Sequence, residues 1–375
     1  MLNVYNFYLN FLIIFSLFSS YRFPEKFIII SNIFYLVIVF IFNIINIFYL
    51  KKILINKMII FILLINIITL FLNLNLKNLY NFGGLILVIW SCYFLICYNS
   101  KKFSYYLENN IYVYNIINFI LYNFFTTYSG IEKNIYFITL TRKVSPYVSY
   151  SNSSTIAALT FCYIFFKIKK KWQDYIMLLM VIIILFNTLK LTSILSIILT
   201  IVIYYSYKLK NKKYFIILLL LFFSSFIFIE LRIEISKYID IRNILTGREI
   251  LWQDYITYIN KRDFLNFIFG SGYYSENISF LYHPHNSYLT ILYYYGILGC
   301  IIYFFWIYKG LINSKKLKEI HIIILWLCIM MVSDDYYITS FLVPLNFLIF
   351  WKGYNLKNKE ISKKKFRIKG EIKIK

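Results

Sequence analysis

Runs of about 20 apolar residues recur along the whole chain, and each could cross the ~30 Å hydrocarbon core of a membrane as one helix. The composition excludes a soluble alternative, because 61% of the 375 residues are hydrophobic and only 15% are charged. A soluble domain of this length needs more polar surface to cover its core. The sequence therefore predicts an all-α, polytopic membrane protein.

The apolar runs predict about twelve transmembrane helices and four regions. Residues 1–231 hold nine spans with short loops, 232–286 form a large extracytoplasmic loop, 287–351 hold three spans, and 352–375 form a basic tail. The predicted spans are 4–20, 27–49, 53–73, 83–99, 109–127, 152–167, 173–189, 191–207, 214–231, 287–308, 319–333 and 336–351.

Positive charge alternates between the two sides of this arrangement. With a cytoplasmic amino terminus, the inner segments hold 27 of the 40 Lys and Arg residues. Membrane insertion retains Lys and Arg on the cytoplasmic side, so both termini are predicted to be cytoplasmic. The net charge of +24 is therefore attributed to topology rather than to nucleic-acid binding.

The loop 232–286 departs from the short connections elsewhere. A long ordered loop is usually functional or disordered, and this one is too aromatic for a disordered linker. It holds six basic and six acidic residues, so particular residues must bind any anion there. The basic residues are Arg232, Lys237, Arg242, Arg248, Lys261 and Arg262.

Within the loop, residues 246–259 predict an amphipathic helix along the membrane surface. Thr246 and Glu249 have the spacing of a capping box. Arg248 falls in the first turn, where free N–H groups and the helix dipole favour a phosphate. The alternative is that Arg248 pairs with Glu249 or Asp254 and only solvates the helix. The predicted apolar face is Leu251, Trp252, Tyr255, Ile256 and Ile259.

Other outward segments offer further anion contacts. The stretch 269–272, Phe-Gly-Ser-Gly, either wraps an anion with its backbone or forms a simple turn. Lys190 lies at a hairpin between two apolar spans, where it either binds an anion or extends to the interface. Arg142 and Lys143 are two more outward cations.

The start of the tenth span carries the most specific pattern. His285-Asn286 is followed by nine residues and then by Gly296-Ile-Leu-Gly299. This resembles the His-[Asn/Ser/Gln]-x9-Gly-x-x-Gly pattern of O-antigen ligases and of related O-antigen and capsule polymerases. The topology and the large loop are similar to that family as well. Further matching elements in the loop are Gly247, Arg248 and Trp252 (Gly-Arg followed by Trp) and Gly270 and Gly272 (Gly-x-Gly).

The resemblance implies an enzyme that transfers a glycan from undecaprenyl diphosphate to an acceptor hydroxyl, such as one on lipid A-core, at the outer face of the bacterial inner membrane. It implies no cofactor, metal or nucleotide sugar, and the sequence has no Asp-x-Asp, P-loop or dinucleotide motif. One position departs from the family: members often have Ser-Arg where this chain has Leu189-Lys190. The charge is kept but the planar guanidinium is lost.

The resemblance and the chemistry together suggest roles. We expect His285 to be the general base and Arg248 to bind the diphosphate, with Lys190, Arg142 and Arg242 as further diphosphate candidates. The dipole of the helix that begins beside His285 disfavours an imidazolium and keeps the ring able to accept a proton. The alternative for His285 is a solvated or capping side chain.

The two glycines of the motif predict a groove. On a continuous helix, at about 100° per residue, Gly296 and Gly299 lie on the same face as His285. A face without side chains would accommodate either a neighbouring helix or a lipid tail.

Other functions remain open at this point. A repeat-unit polymerase uses the same donor, and no residue identifies the acceptor. A non-enzymatic polysaccharide flippase or transporter should instead place charges midway through several helices, whereas the notable charges here gather at the outer face.

Overall fold

The computed structural model describes residues 2–18, 24–49, 56–99, 101–135, 138–206, 211–235, 248–272, 284–332 and 343–356. The helices are α1 (Leu2–Phe18), α2 (Glu25–Tyr49), α3 (Lys57–Leu72), α4 (Leu76–Asn99), α5 (Phe103–Phe124), α6 (Tyr150–Phe165), α7 (Trp172–Thr188), α8 (Leu191–Ser206), α9 (Asn211–Ile235), α10 (Arg248–Asn260), α11 (Phe264–Phe269), α12 (Ser287–Ser314), α13 (Lys318–Met330) and α14 (343–356). The strands are β1 (Thr127–Ile135) and β2 (Ile138–Val144).

The helices coincide with the apolar runs of the sequence. Ile30–Phe48, Asn81–Tyr98 and Ser287–Ser314 are long and apolar enough to cross a membrane, and several shorter helices are also apolar. Large apolar side chains such as Phe48, Phe71 and Leu76 are exposed on the outside of the bundle. Hydrocarbon is a suitable solvent for such a surface and water is not. The protein is therefore an integral membrane protein, while the count of twelve spans stays a prediction.

The all-helical prediction holds for the bundle but needs one correction. Strands β1 and β2 pair antiparallel in the connection between α5 and α6, from Thr127 opposite Val144 to Ile135 opposite Ile138. The sequence of β2, Ile-Thr-Leu-Thr-Arg-Lys-Val, alternates apolar and polar residues and is rich in β-branched side chains, as strands prefer.

Helix α12 forms the centre of the part of the bundle that carries the motif. It packs against α3, α9, α10, α11 and α13. Trp306 of α12, Trp326 of α13 and Trp351 of α14 are fully buried, and the rings of Trp306 and Trp351 are 4.7 Å apart. Aromatic packing of this kind fixes the position of α12 relative to its neighbours.

Helices α12 and α13 are antiparallel. At one end the backbone N–H of Ser287 donates to the carbonyl of Met331 (2.7 Å). At the other end the His321 ring lies 3.0 Å from the Ser314 hydroxyl. His321 is therefore at the opposite end of α12 from His285.

Candidate active site

His285 has an unusual backbone conformation directly before α12. Its φ of +48° lies in the left-handed region, and its side chain is exposed, whereas Pro284 and Asn286 on either side are buried. A non-glycine residue in this region is uncommon, although histidine is among the types found there more often. His285 is therefore an exposed residue in an uncommon conformation between two buried neighbours.

Asn286 fixes the start of α12. Its side-chain oxygen accepts hydrogen bonds from the backbone N–H groups of Tyr288 (3.0 Å) and Leu289 (3.1 Å). Thr290 donates its hydroxyl to the Asn286 carbonyl at 2.8 Å. This is the arrangement of an asparagine N-cap, so the Asn of the His-Asn motif has a structural role.

Helix α10 is anchored to the histidine segment. The indole N–H of Trp252 donates to the carbonyl of Pro284 at 2.7 Å. Trp252, Tyr255 and Ile259 are buried, and α10 packs against α9 and α12, so the predicted apolar face exists and contacts protein. Arg248 is the first residue of α10, one turn before Trp252. The Arg248–Trp252 segment and the His-Asn motif therefore meet through α10.

Gly296 breaks α12, which corrects the predicted groove. With φ +63° and ψ −167°, Gly296 is not helical, so the extrapolation of helical angles from His285 does not hold across it. A Cβ at Gly296 would collide with the carbonyl of Ile268, and one at Gly270 with that of Tyr294. The end of α11, rather than a groove, therefore lies at Gly296.

The Gly-x-Gly element forms a turn that contacts α12 at this break. The N–H groups of Gly270, Ser271 and Gly272 donate to the carbonyls of Asn266, Tyr293 and Tyr294, at 2.9, 3.1 and 3.2 Å. Because these donors are used within the protein, the interpretation as a turn is supported over that of an anion-wrapping loop.

Two side chains, one in α3 and one at its C-cap, complete the contact at α11. Thr69 donates to the Phe269 carbonyl at 2.9 Å, and Asn73 donates to the Gly270 carbonyl at 3.2 Å. A Cβ at Gly299 would collide with the Tyr295 side chain, before the break in α12, and would lie 3.6 Å from Ile65 of α3. Because α12 packs against α3, helix packing, the first of the two alternatives for the motif glycines, is supported near Gly299.

Arg262 is a residue whose role the sequence did not reveal. Its Nη1 donates to the Tyr293 carbonyl at 2.9 Å, and its guanidinium lies 4.0 Å from the centre of the Tyr293 ring. Burial lowers the pKa of Arg262, an effect opposed by Tyr293 and Asp263, yet a guanidinium remains charged at neutral pH. Its proximity to the Gly-x-Gly turn was the only signal in the sequence.

Lys190 is buried rather than extended to the interface. Its ammonium donates to the hydroxyls of Ser151 (2.7 Å) and Thr155 (3.4 Å) on α6. The turn before it is closed by Leu189, which is left-handed at φ +47°. A buried ammonium among hydroxyls is a chemically suitable partner for a phosphate oxygen.

Lys190 and His285 lie at the same end of the bundle. Lys190 directly precedes α8, and Ser196 in the second turn of α8 accepts a hydrogen bond from Trp326 at 2.9 Å. Trp326 is in the last turns of α13, which ends at the hydrogen bond between Met331 and α12. The end of α13 therefore connects the two candidates.

The remaining candidates are less defined. Arg142 lies on β2 next to Lys143. Arg248 lies at the start of α10. Arg242, Thr246, Gly247 and His283 lie outside the described residues.

Comparison with known families agrees with the geometry. A family model described as O-antigen ligase matches residues 175–304, from α7 into the second half of α12. The matched segment contains Lys190, Arg248, His285 and both motif glycines. No curated protein matches the chain. This match supports the resemblance to O-antigen ligases and polymerases that the His-Asn motif indicates.

Proposed function

We propose that this protein is an O-antigen ligase-type glycosyltransferase. It transfers a glycan from undecaprenyl diphosphate to an acceptor hydroxyl, on lipid A-core or a similar lipid-bound sugar, during surface polysaccharide synthesis. The observation that carries the proposal is the exposed, left-handed His285, anchored through Pro284 to Trp252 one turn after Arg248. Contact between these two elements supports a joint role for His285 as proton acceptor and Arg248 as cation.

The reaction needs a base and a leaving-group contact. The acceptor hydroxyl oxygen attacks the anomeric carbon, and the His285 imidazole takes its proton. The bond from that carbon to the diphosphate oxygen breaks, and the diphosphate leaves with the electron pair. Arg248 stabilises its charge, with Lys190, Arg142 and Arg242 as additional contacts. No metal or cofactor takes part in this proposed sequence.

A lipid-linked donor is also consistent with the surroundings of α10. A cavity of about 360 Å³ lies between α9, α10, α11 and α12, and Phe223, Ile256, Phe267 and Ile301 contribute to its wall. Its lining is almost wholly apolar, with Asn260 as the polar exception. An apolar cavity along the second half of α10, the helix that begins at Arg248, suits a substrate that has a hydrocarbon tail and an anionic head.

The proposed location follows from the same scheme. The protein is a multi-pass protein of the bacterial inner membrane, with both termini cytoplasmic and the loop 232–286 on the extracytoplasmic face. A flippase is not favoured. The ion pairs of the described residues, Lys167 with Glu108 (3.0 Å) and with Asp174 (3.1 Å), lie at helix ends rather than midway along a substrate path.

Reconstitution tests the function directly. The purified protein in lipid vesicles is given an undecaprenyl-diphosphate-linked glycan, with or without lipid A-core. Glycan attached to the lipid core supports the ligase, whereas longer glycans formed from donor alone support a repeat-unit polymerase. A donor that is not consumed in either reaction contradicts the proposal.

A further inference from the structure

Helix α12 consists of two helical pieces that meet at Gly296. The upper piece, Ser287–Tyr295, begins at the His-Asn motif, and the lower piece continues to Ser314. In an unbroken helix, the carbonyls of Tyr293 and Tyr294 would accept from residues 297 and 298. A helix end inside a protein needs partners for such carbonyls.

Three donors meet the carbonyls at this internal end. The N–H groups of Ser271 and Gly272 reach the carbonyls of Tyr293 and Tyr294 at 3.1 and 3.2 Å. Arg262 donates to the Tyr293 carbonyl at 2.9 Å and is the charged member of the set. The centre of the Tyr293 ring lies 4.0 Å from the guanidinium carbon of Arg262 and provides a second contact.

The charge of Arg262 matches this position. The carboxyl end of a helix carries partial negative charge, so a cation there is stabilising, more so when it is shielded from water. The Nε and Nη2 atoms of Arg262 are buried and have no hydrogen-bond partner among the described residues. Among the described residues, the guanidinium thus donates to the Tyr293 carbonyl and lies over the Tyr293 ring.

We propose that Arg262 is a positioning residue for the transfer reaction: it caps the upper piece of α12 and thereby sets the placement of His285 at the other end. This role rests on the proposed function. The nine residues of the upper piece span about 13 Å, so a tilt of about 5° at one end moves the other by about 1 Å. A displacement of about that size can cost on the order of 10²-fold in rate.

Three substitutions in the full-length protein test the role. Arg262→Gln removes the charge, Arg262→Lys keeps a cation that can reach a carbonyl, and Lys261→Gln makes the same charge change at an exposed neighbour. We measure kcat and donor KM in the vesicle assay, and the folded fraction by size-exclusion chromatography. For Arg262→Gln we expect kcat to fall about 10- to 100-fold with donor KM within about twofold.

The controls separate positioning from other roles. Arg262→Lys should recover most of the lost kcat, and Lys261→Gln should behave like wild type. A kcat loss no larger than the loss of folded protein would show a merely structural residue, and a raised KM with unchanged kcat would show a donor contact. Either result overturns the proposal, as does wild-type kcat in Arg262→Gln. A wild-type protein that consumes no donor overturns the proposed function and this role together.

Discussion

At the scale of single residues, His285 is held in a conformation that its type seldom adopts. A left-handed non-glycine residue costs on the order of 1–3 kcal/mol, and the surrounding structure must hold it. Here the holding contacts are the Trp252 hydrogen bond to Pro284 and the Asn286 cap on α12. A residue kept exposed under strain between two buried neighbours fits a reacting group better than it fits a helix cap.

Arg248 provides the first prediction. Arg248→Lys should keep the charge but lose most of the transfer activity, because a two-point contact with a diphosphate becomes a single point. Arg248→Ala should lose more. Glycan transfer is measured in cells and corrected for protein level by immunoblotting. Normal transfer by Arg248→Ala at normal protein level would show that the assignment is wrong.

Lys190 provides a second test, because this chain has lysine where related proteins often have arginine. Lys190→Met should reduce transfer at least about tenfold by removing a charge-assisted contact, and should weaken donor binding. Lys102→Met, at an exposed position before α5, is the control. If the folded Lys190→Met protein binds donor as wild type does, Lys190 only fills its pocket between Ser151 and Thr155.

At the scale of elements, the sequence predicted where the helices lie but not how α12 is built. Apolar runs predict these helices reliably, because the surface of each helix is apolar whether it faces the protein interior or the lipid. The break at Gly296 was missed because the apolar pattern continues across it, and only a tertiary contact with α11 shows why glycine is required. The β1–β2 hairpin was missed because its alternation is short and lies in a connection.

Gly296 allows a matched stability test. Gly296→Ala should destabilise the protein by at least about 1–3 kcal/mol, because its φ is +63° and a Cβ would meet the Ile268 backbone. Gly83→Ala is the control, since nothing lies within 4 Å of the added atom in α4. There the change should be neutral or stabilising by up to about 1 kcal/mol. The midpoint of thermal unfolding is measured for both purified variants. Equal midpoints would contradict the close contact between Gly296 and α11.

The candidate site was predicted in part. The motif indicated His285 and Arg248, and the structure connects their elements through Trp252. The capping role of Arg262 could not be predicted, because its hydrogen-bond partner is a backbone carbonyl. Every residue has such a carbonyl, so the sequence does not show which one is the partner. The hydrogen bonds of Lys190 could not be predicted either, because Ser151 lies on another helix, 39 residues away in the chain.

At the scale of the whole molecule, the candidate groups gather at one end of the bundle. His285 precedes α12, Lys190 precedes α8, and the end of α13 lies between them. His321 is at the opposite end, between α13 and the end of α12. For a lipid-linked glycan, the end that carries His285 must face the extracytoplasmic side.

The charge distribution predicts that orientation. Reporters fused after residues 100, 171 and 211 should be active in the cytoplasm, whereas one fused near residue 260 should be active outside, because 27 of the 40 Lys and Arg residues lie in the predicted inner segments. Paired alkaline phosphatase and fluorescent protein fusions measure this. A cytoplasmic signal at residue 260 would place the site on the wrong side for the donor.

The rate of glycan transfer by purified His285→Ala, with donor binding measured in parallel, tests the central claim most directly. Loss of a general base should lower the rate by about 10²–10⁴-fold while donor affinity stays within about twofold. His283→Ala, two residues away, should remain near wild type. Equal damage from both substitutions, or loss of donor binding in His285→Ala, would contradict the role of His285 as the proton acceptor.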